Sequence, residues 1–495
     1  MRKSLTLALR AGTALAVAGV ALSGCSLGPN FQRPAAPAAG YAETAPQPTV
    51  SADVPGGAAQ SFKDGSDIVA QWWTLFQSPA LNGLIEQALA NSPTLKSAEA
   101  ALRQAHENEK ADVSILFPSV DGRFSSTRQK ITGFGGGATI PPFSLHTASV
   151  DVSYGLDLFG AARRTYEADI AFTERARFQM EAARLSLTSN VVAAAVQQAS
   201  LRAQIQATET ILDLQTQQLG VLRNQLDLGA IAGADVLTQE TAVSQTRALL
   251  PTLQKALGQN RNLLLALTGR YPSERLDAAF DLTTFALPTE LPVSLSSQLV
   301  AQRPDIRASE AIAHAAAANV GVRTALMFPQ ISLSASLGTS NSDISNLFSP
   351  GTGIWSLGAT LTQPIFHGGE LLHKKRAAVA QYEGALEDYR GVVVSAFQNV
   401  ADVLYALDVD AQAVKAQVDA ERSASTSLSI AQNQYQTGAT TFLTLLDAQR
   451  SYQQARINLV QAQATRYADT AALFAALGGG WWNRAENKDQ VAEKN

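Results

Sequence analysis

The chain of 495 residues has a single cysteine. A lone cysteine excludes an intrachain disulfide framework and a cysteine-built metal centre. Charge is also scarce, with Asp, Glu, Lys and Arg at 16%, where a soluble globular chain carries about 25%. A formal net charge of −4 argues against a general nucleic-acid binder, which needs a basic footprint. Hydrophobic residues reach 46%, too many for a disordered chain. Only five histidines occur, at 106, 146, 314, 367 and 373, scattered without metal-ligand spacing. His106-Glu107 lacks the second histidine of a zinc-protease helix. The glycines at 133, 135, 136 and 137 fall in a hairpin loop, not between a strand and a helix, so they make no phosphate cradle. No catalytic constellation, cofactor site or metal site stands out, and no enzyme is expected.

What is there begins with the cysteine. Arg2, Lys3 and Arg10 precede an apolar stretch from Ala11 to Leu22, which is too short to span a bilayer as a mature helix and reads as a signal peptide over residues 1–24. It ends Leu22-Ser23-Gly24-Cys25, which resembles the lipobox of bacterial lipoproteins. There small residues admit the peptidase, and the thiol, here that of Cys25, takes the lipid. Ser26 rather than aspartate after the cysteine suits the outer membrane. Acyl chains anchor a protein to a leaflet without spanning it. Residues 25–66 are rich in Pro, Ala and Gly and read as an extended, lipidated arm.

The remainder repeats once. Pro93 and Pro304 open helix-like runs that end at Phe117-Pro118 and Phe328-Pro329, both at an offset of 211. Leu158-Phe159-Gly160 matches Ile365-Phe366-His367-Gly368, and Leu228-Gly229 matches Thr437-Gly438. Such constancy over a long span signals internal duplication. The expected copies are residues 67–285 and 286–480, followed by a polar tail over 481–495. Trp481 and Trp482 at that boundary are expected to pack rather than to face a membrane interface.

Each copy reads as helix, two strands, very long helix, short break and long helix. Strand hairpins are expected over about 119–158 and 330–365. Val120, Gly122 and Phe124 alternate with Asp121, Arg123 and Ser125; Trp355, Leu357, Ala359 and Leu361 alternate with Ser356, Gly358, Thr360 and Thr362. The polar face is small and mostly uncharged, which suits a barrel with lipid outside and water inside. Four strands are too few for a useful two-sheet core, and too few to close a membrane barrel, for which about eight is the minimum. If these strands span a membrane, several chains share one barrel.

The helical hairpins, about 162–268 and 369–477, hold proline-free runs from Ala162 to Leu226 and from Gly369 to Tyr435. Each can run on the order of 100 Å as one helix. Ile205, Thr208, Leu212, Gln215, Leu219, Leu222 and Leu226 recur at 3 and 4 spacing, as do Leu404, Leu407, Ala411, Val414 and Val418, the pattern of heptad packing. Gly229 and Gly438 stand where helix-terminating glycines are expected.

These residues resemble the outer-membrane factor family of tripartite efflux pumps, the TolC and OprM type, in its lipoprotein (NodT-like) branch. The local matches are Gly28-Pro29-Asn30-Phe31, Trp72-Trp73 with Phe76, Gln302-Arg303-Pro304-Asp305-Ile306, Leu443 to Gln449 (LTLLDAQ) and Leu477-Gly478-Gly479-Gly480-Trp481. The resemblance covers essentially the whole mature chain. It implies a mainly α fold with membrane β: a homotrimer whose protomers each give four strands to a twelve-stranded outer-membrane barrel, continued by a periplasmic α-helical barrel. The implied function is a passive exit duct for small molecules such as drugs, lipid-anchored in the outer membrane. A periplasmic adaptor and an inner-membrane RND-type transporter would be its partners. The channel of a protein-secretion system and a non-channel periplasmic adaptor lipoprotein are the alternatives. The resemblance also implies a periplasmic gate at Leu443 and Asp447, which at i and i+4 share a helix face. In a trimer they would form rings of leucines and carboxylates, the first dewetting the pore and the second repelling anions. The first copy carries Ala234 and Thr238 there and adds no such ring. The bland reading of Asp447 is a solvated carboxylate paired with Arg450. Where the family has an arginine just before the tip glycine, this chain has Gln436.

Overall fold

A computed structural model describes residues 26–38, 40–41, 46–130 and 141–485. The signal peptide, Cys25, the loop glycines and most of the polar tail lie outside the described residues. In chain order the elements are β1 (Ser61–Asp64), α1 (Pro79–Asn91), α2 (Pro93–Asp112), β2 (Ser119–Gln129), β3 (Phe143–Leu156), α3 (Ala161–Asp227), α4 (Gly233–Leu267), β4 (Glu290–Val293), α5 (Ser296–Gln302), α6 (Pro304–Ala325), β5 (Gln330–Asn341), β6 (Gly353–Thr362), α7 (Glu370–Gln436) and α8 (Phe442–Ala476). The duplication is visible in their lengths: α3 and α7 each have 67 residues, and α4 and α8 each have 35.

Both long helices end in the same way. Ala230 N–H donates to the Gln225 carbonyl and Gly229 N–H to that of Leu226; 209 residues on, Ala439 donates to Gln434 and Gly438 to Tyr435. These are paired 6→1 and 5→2 bonds of a Schellman motif. They need a left-handed residue, and Gly229 and Gly438 supply it at φ 71° and 74°.

The seam of the second hairpin matches its sequence pattern: Leu404, Leu407, Ala411, Val414 and Val418 are all buried. The first hairpin differs. Thr208, Gln215, Leu219 and Leu222 are buried as expected, but Gln204 and Ile211 take the places expected of Ile205 and Leu212, and Leu226 is 37% exposed. Ile211 and Leu212 are both apolar neighbours, so residue type cannot choose between them; the position of the packed partner does.

The described residues pack as two compact units, each drawing on both copies. One comprises residues up to Pro34, Ala101–Arg177 and Ala308–Arg390. It holds an antiparallel sheet in the order β2-β3-β5-β6, joined in continuous register through Val120↔Val152, Val152↔Ala335 and Ala335↔Leu357. Ala168, Ala171, Ala315 and Ala318 form a separate small core.

The other unit comprises Ala35–Ala100, Phe178–Arg307 and the chain from Gly391 on. Trp72 lies at its centre, fully buried and stacked on Phe474 at 5.4 Å. Inside the stretch expected to be a featureless arm, β1 pairs in parallel with β4, Ser61 opposite Glu290, and Lys63 pairs with Glu290 at 2.5 Å. The arm continues into a buried polar network. The Arg466 guanidinium, fully buried, donates to Thr49 Oγ1 at 2.9 Å and to the Ala58 carbonyl at 2.8 Å. Gln60 donates to the Pro288 carbonyl and to Thr470 Oγ1.

Beside this network, burial and the neighbouring Asp469 carboxylate push the Asp410 carboxyl up to about 7 from 3.8, against the pull of Arg466. Between those values the folded protein holds a proton that the unfolded chain has released, so stability falls as pH rises through the window. Asp410→Asn is expected to flatten this dependence. Melting temperatures at pH ~5 and ~8 check it, with the variant losing less than the wild type between the two; equal losses would exclude the effect.

Candidate functional site

The second hairpin tip is rotated by its core. In α8, Phe442, Leu445, Leu446, Ala448 and Gln449 are buried. Phe442 and Leu446 join Leu219, Leu222, Val236 and Val243 in one cluster, and the Tyr435 ring meets Phe442 edge-on at 6.2 Å. Thr441 caps the helix, its hydroxyl accepting from Thr444 N–H. With that face turned inward, Leu443 and Asp447 fall on the opposite one. Leu443 is 65% exposed and Asp447 is exposed as well. Among the described residues Asp447 makes no ion pair, so Arg450 does not neutralise it. Gln436 is exposed at the same tip. The first tip carries a feature that no sequence pattern announces: Leu237, three residues beyond Ala234, is also 65% exposed. Only the orientation of α4, fixed by buried Val236 and Gln239, reveals it.

The sheet has two contrasting faces, set by its register. One carries Val120, Phe124, Val150, Leu337, Trp355, Leu357 and Leu361, all exposed. The other is a hydroxyl surface. Ser119 and Ser153 hydroxyls lie 2.7 Å apart, those of Thr147 and Ser340 3.1 Å apart, and Ser336 Oγ donates to Asp151 at 2.6 Å. The Arg123 guanidinium lies 3.7 Å from the same carboxylate. In water an uncovered apolar face of this size is unstable; in a bilayer it is the required surface. Among the described residues the outer strands β2 and β6 each leave one edge unpaired, and bare backbone groups cannot persist in hydrocarbon.

The other motifs serve packing. A Cβ on Gly28 (φ +97°) would come within 2.4 Å of Gly321 Cα, so this close crossing requires glycine. Arg164 donates to Asn30 Oδ1 at 2.6 Å, and Phe31 stacks on His314 at 4.8 Å. Gly28-Pro29-Asn30-Phe31 is thus the seat of the arm. Arg303 grips Asp305 through two nitrogens, at 3.0 and 2.6 Å, and donates to the Ala476 carbonyl at the end of α8 at 2.8 Å. Trp481 Nε1 donates to the Gln302 carbonyl, and Trp482 Nε1 to Asp67, so this pair packs as expected.

Comparison with known proteins agrees with this geometry. The family model described as "Outer membrane efflux protein" matches residues 84–270 and 295–479. The probable efflux pump outer membrane protein TtgC of Pseudomonas putida is 31% identical over 491 residues, covering 97% of both chains. The cation efflux system protein CusC of Escherichia coli is 32% identical over 473 residues, covering 93% of this chain and 97% of CusC. Among solved structures, the outer-membrane channel OprN superposes with a TM-score of 0.83 at 28% identity, covering 92% of this chain and all of that one. The chain belongs to the outer membrane efflux protein family. It is an outer-membrane efflux channel.

Proposed function

We propose that three copies of this chain close one twelve-stranded barrel, and that their helical hairpins continue it as a duct through the periplasm. One observation carries this reading. A four-stranded sheet with an apolar face, a hydroxyl face and two open edges is incomplete as a membrane structure, and it becomes complete when β6 of one copy meets β2 of the next. The hydroxyl face then lines water, with few fixed charges to bind a passing solute. Helices of 67 residues reach on the order of 100 Å, long enough to meet a periplasmic adaptor and, through it, an inner-membrane RND-type transporter that supplies the energy. CusC is named for cation efflux, which supports small solutes as cargo. A lipid on Cys25 would anchor the arm in the outer-membrane leaflet. A chain with two helical hairpins and a membrane-type sheet disfavours the single-hairpin adaptor. The test is fractionation followed by native mass measurement: the protein is expected in the outer membrane as a trimer that conducts ions in planar bilayers. A monomer released by anchor removal would overturn the reading.

A further inference from the structure

Phe159 lies three residues beyond β3, and Phe328 two residues before β5. Their rings stack at 5.0 Å with 28° between planes. The two numbers sum to 487, as does every rung of the β3–β5 ladder from His146↔Asn341 to Leu156↔Ile331. The stack is therefore a clasp in register with the ladder, just past its end.

The duplication supplies a second pair of the same kind. Phe328 corresponds to Phe117 at offset 211, and Phe159 to Phe366 at offset 207. Phe117 is 64% exposed and Phe366 85%, and among the described residues neither meets another ring. They flank the two open edges: Phe117 precedes β2 by two residues, and Phe366 follows β6 by four.

We propose that Phe366 of one protomer stacks on Phe117 of the next, rebuilding the Phe159–Phe328 clasp across each subunit boundary and setting the register in which β6 pairs with the neighbour's β2. This rests on the trimeric-channel reading. Since 117 and 366 sum to 483, so do the new rungs: Thr360 faces the neighbour's Arg123, and Ala359 the neighbour's Phe124. Two physical conditions are met. Thr360 and Arg123 both belong to the hydroxyl face, and Ala359 and Phe124 to the apolar one; a slip of one residue would break this match. The rungs also give an acceptable tilt. Passing from Val120 through Val152, Ala335 and Leu357 to the neighbour's Ser126 advances six residues, and hence eighteen around three protomers. At the usual rise and strand spacing that is a tilt of about 45°, the value for membrane strands.

Cysteine cross-linking of the full-length protein in outer membranes tests the clasp. With a short bis-maleimide, Phe117→Cys combined with Phe366→Cys is expected to give covalent dimers and trimers, each single variant only monomers, and the intrachain control Phe159→Cys with Phe328→Cys only monomers with altered mobility. Should the paired variant disturb assembly, Thr360→Cys with Arg123→Cys keeps both rings. Oxidation is expected to join it between chains, whereas Thr360→Cys with Asp121→Cys or with Ser125→Cys, two residues out of register, is not. A native trimer in which neither in-register pair links chains, while the intrachain control reacts, overturns the clasp and leaves the channel reading standing. A wild-type protein that is not trimeric overturns both.

Discussion

Replacing Leu443 and Asp447 together by alanine is expected to raise single-channel conductance severalfold over the wild type. The core of the second hairpin tip turns both side chains away from Phe442, Leu445 and Leu446. A leucine 65% exposed at such a place is wasteful for a lone chain. Three of them meeting on an axis would form an apolar ring from which water withdraws, and three carboxylates one turn deeper would hold cations and turn back anions. Neither residue belongs to the packed cluster at the tip, so the substitutions should change stability by no more than about 0.5 kcal/mol. A change in current therefore reports the pore, not unfolding. The two parts separate: Leu443→Ala alone is expected to raise conductance, and Asp447→Asn alone to weaken cation preference, read as a shift in reversal potential across a salt gradient. A double variant with wild-type conductance would sink the gate.

Trp72→Ala is expected to cost about 3–5 kcal/mol of stability. Trp72 is fully buried. It stacks on Phe474 with 15° between rings, and meets Trp73 and Phe76 edge-on at 6.0 and 6.4 Å. Phe474 belongs to the last turns of α8, so this one indole ties the segment that follows β1 to the end of the last long helix. Truncation leaves a cavity among rings whose backbones are held by regular structure, and such a site collapses poorly. Trp72→Phe should retain most of the stacking. Denaturant unfolding in detergent, followed by near-ultraviolet dichroism, reads the difference; an alanine variant that unfolds with the wild type would show the site to be plastic.

Much of this could be read from the chain because its signals are periodic and doubled. Strand alternation at Val120, Gly122 and Phe124, and at Trp355, Leu357 and Leu361, depends on one residue at a time, and the structure puts β2 and β6 there. The helix ends at Gly229 and Gly438 are local chemistry, since only a left-handed residue closes the two bonds. The parallel pairing of β1 with β4 was not legible. Those strands are four residues long and 229 apart in sequence, too short for an alternation to stand out. The arm network was hidden for a related reason: the burial of Arg466, Thr49 and Gln60 follows from contacts between distant segments, and nothing local announces it.

The sequence by itself determined the duplication, the sheet with one apolar face, the long hairpins and the insufficiency of four strands. These are properties of spacing and of the side chains' preference for water or lipid, and they hold before any tertiary contact forms. The tertiary structure alone decided which way each helix is turned. It chose Ile211 over Leu212 for the first seam, and it put Leu443, Asp447 and Leu237 on open faces. It also showed that Phe159 has a partner ring while, among the described residues, its repeat counterpart Phe366 has none. Orientation of this kind depends on where the neighbouring element lies. A helix whose adjacent residues are both apolar, or a loop whose ring can stack in more than one direction, leaves that choice to the rest of the fold.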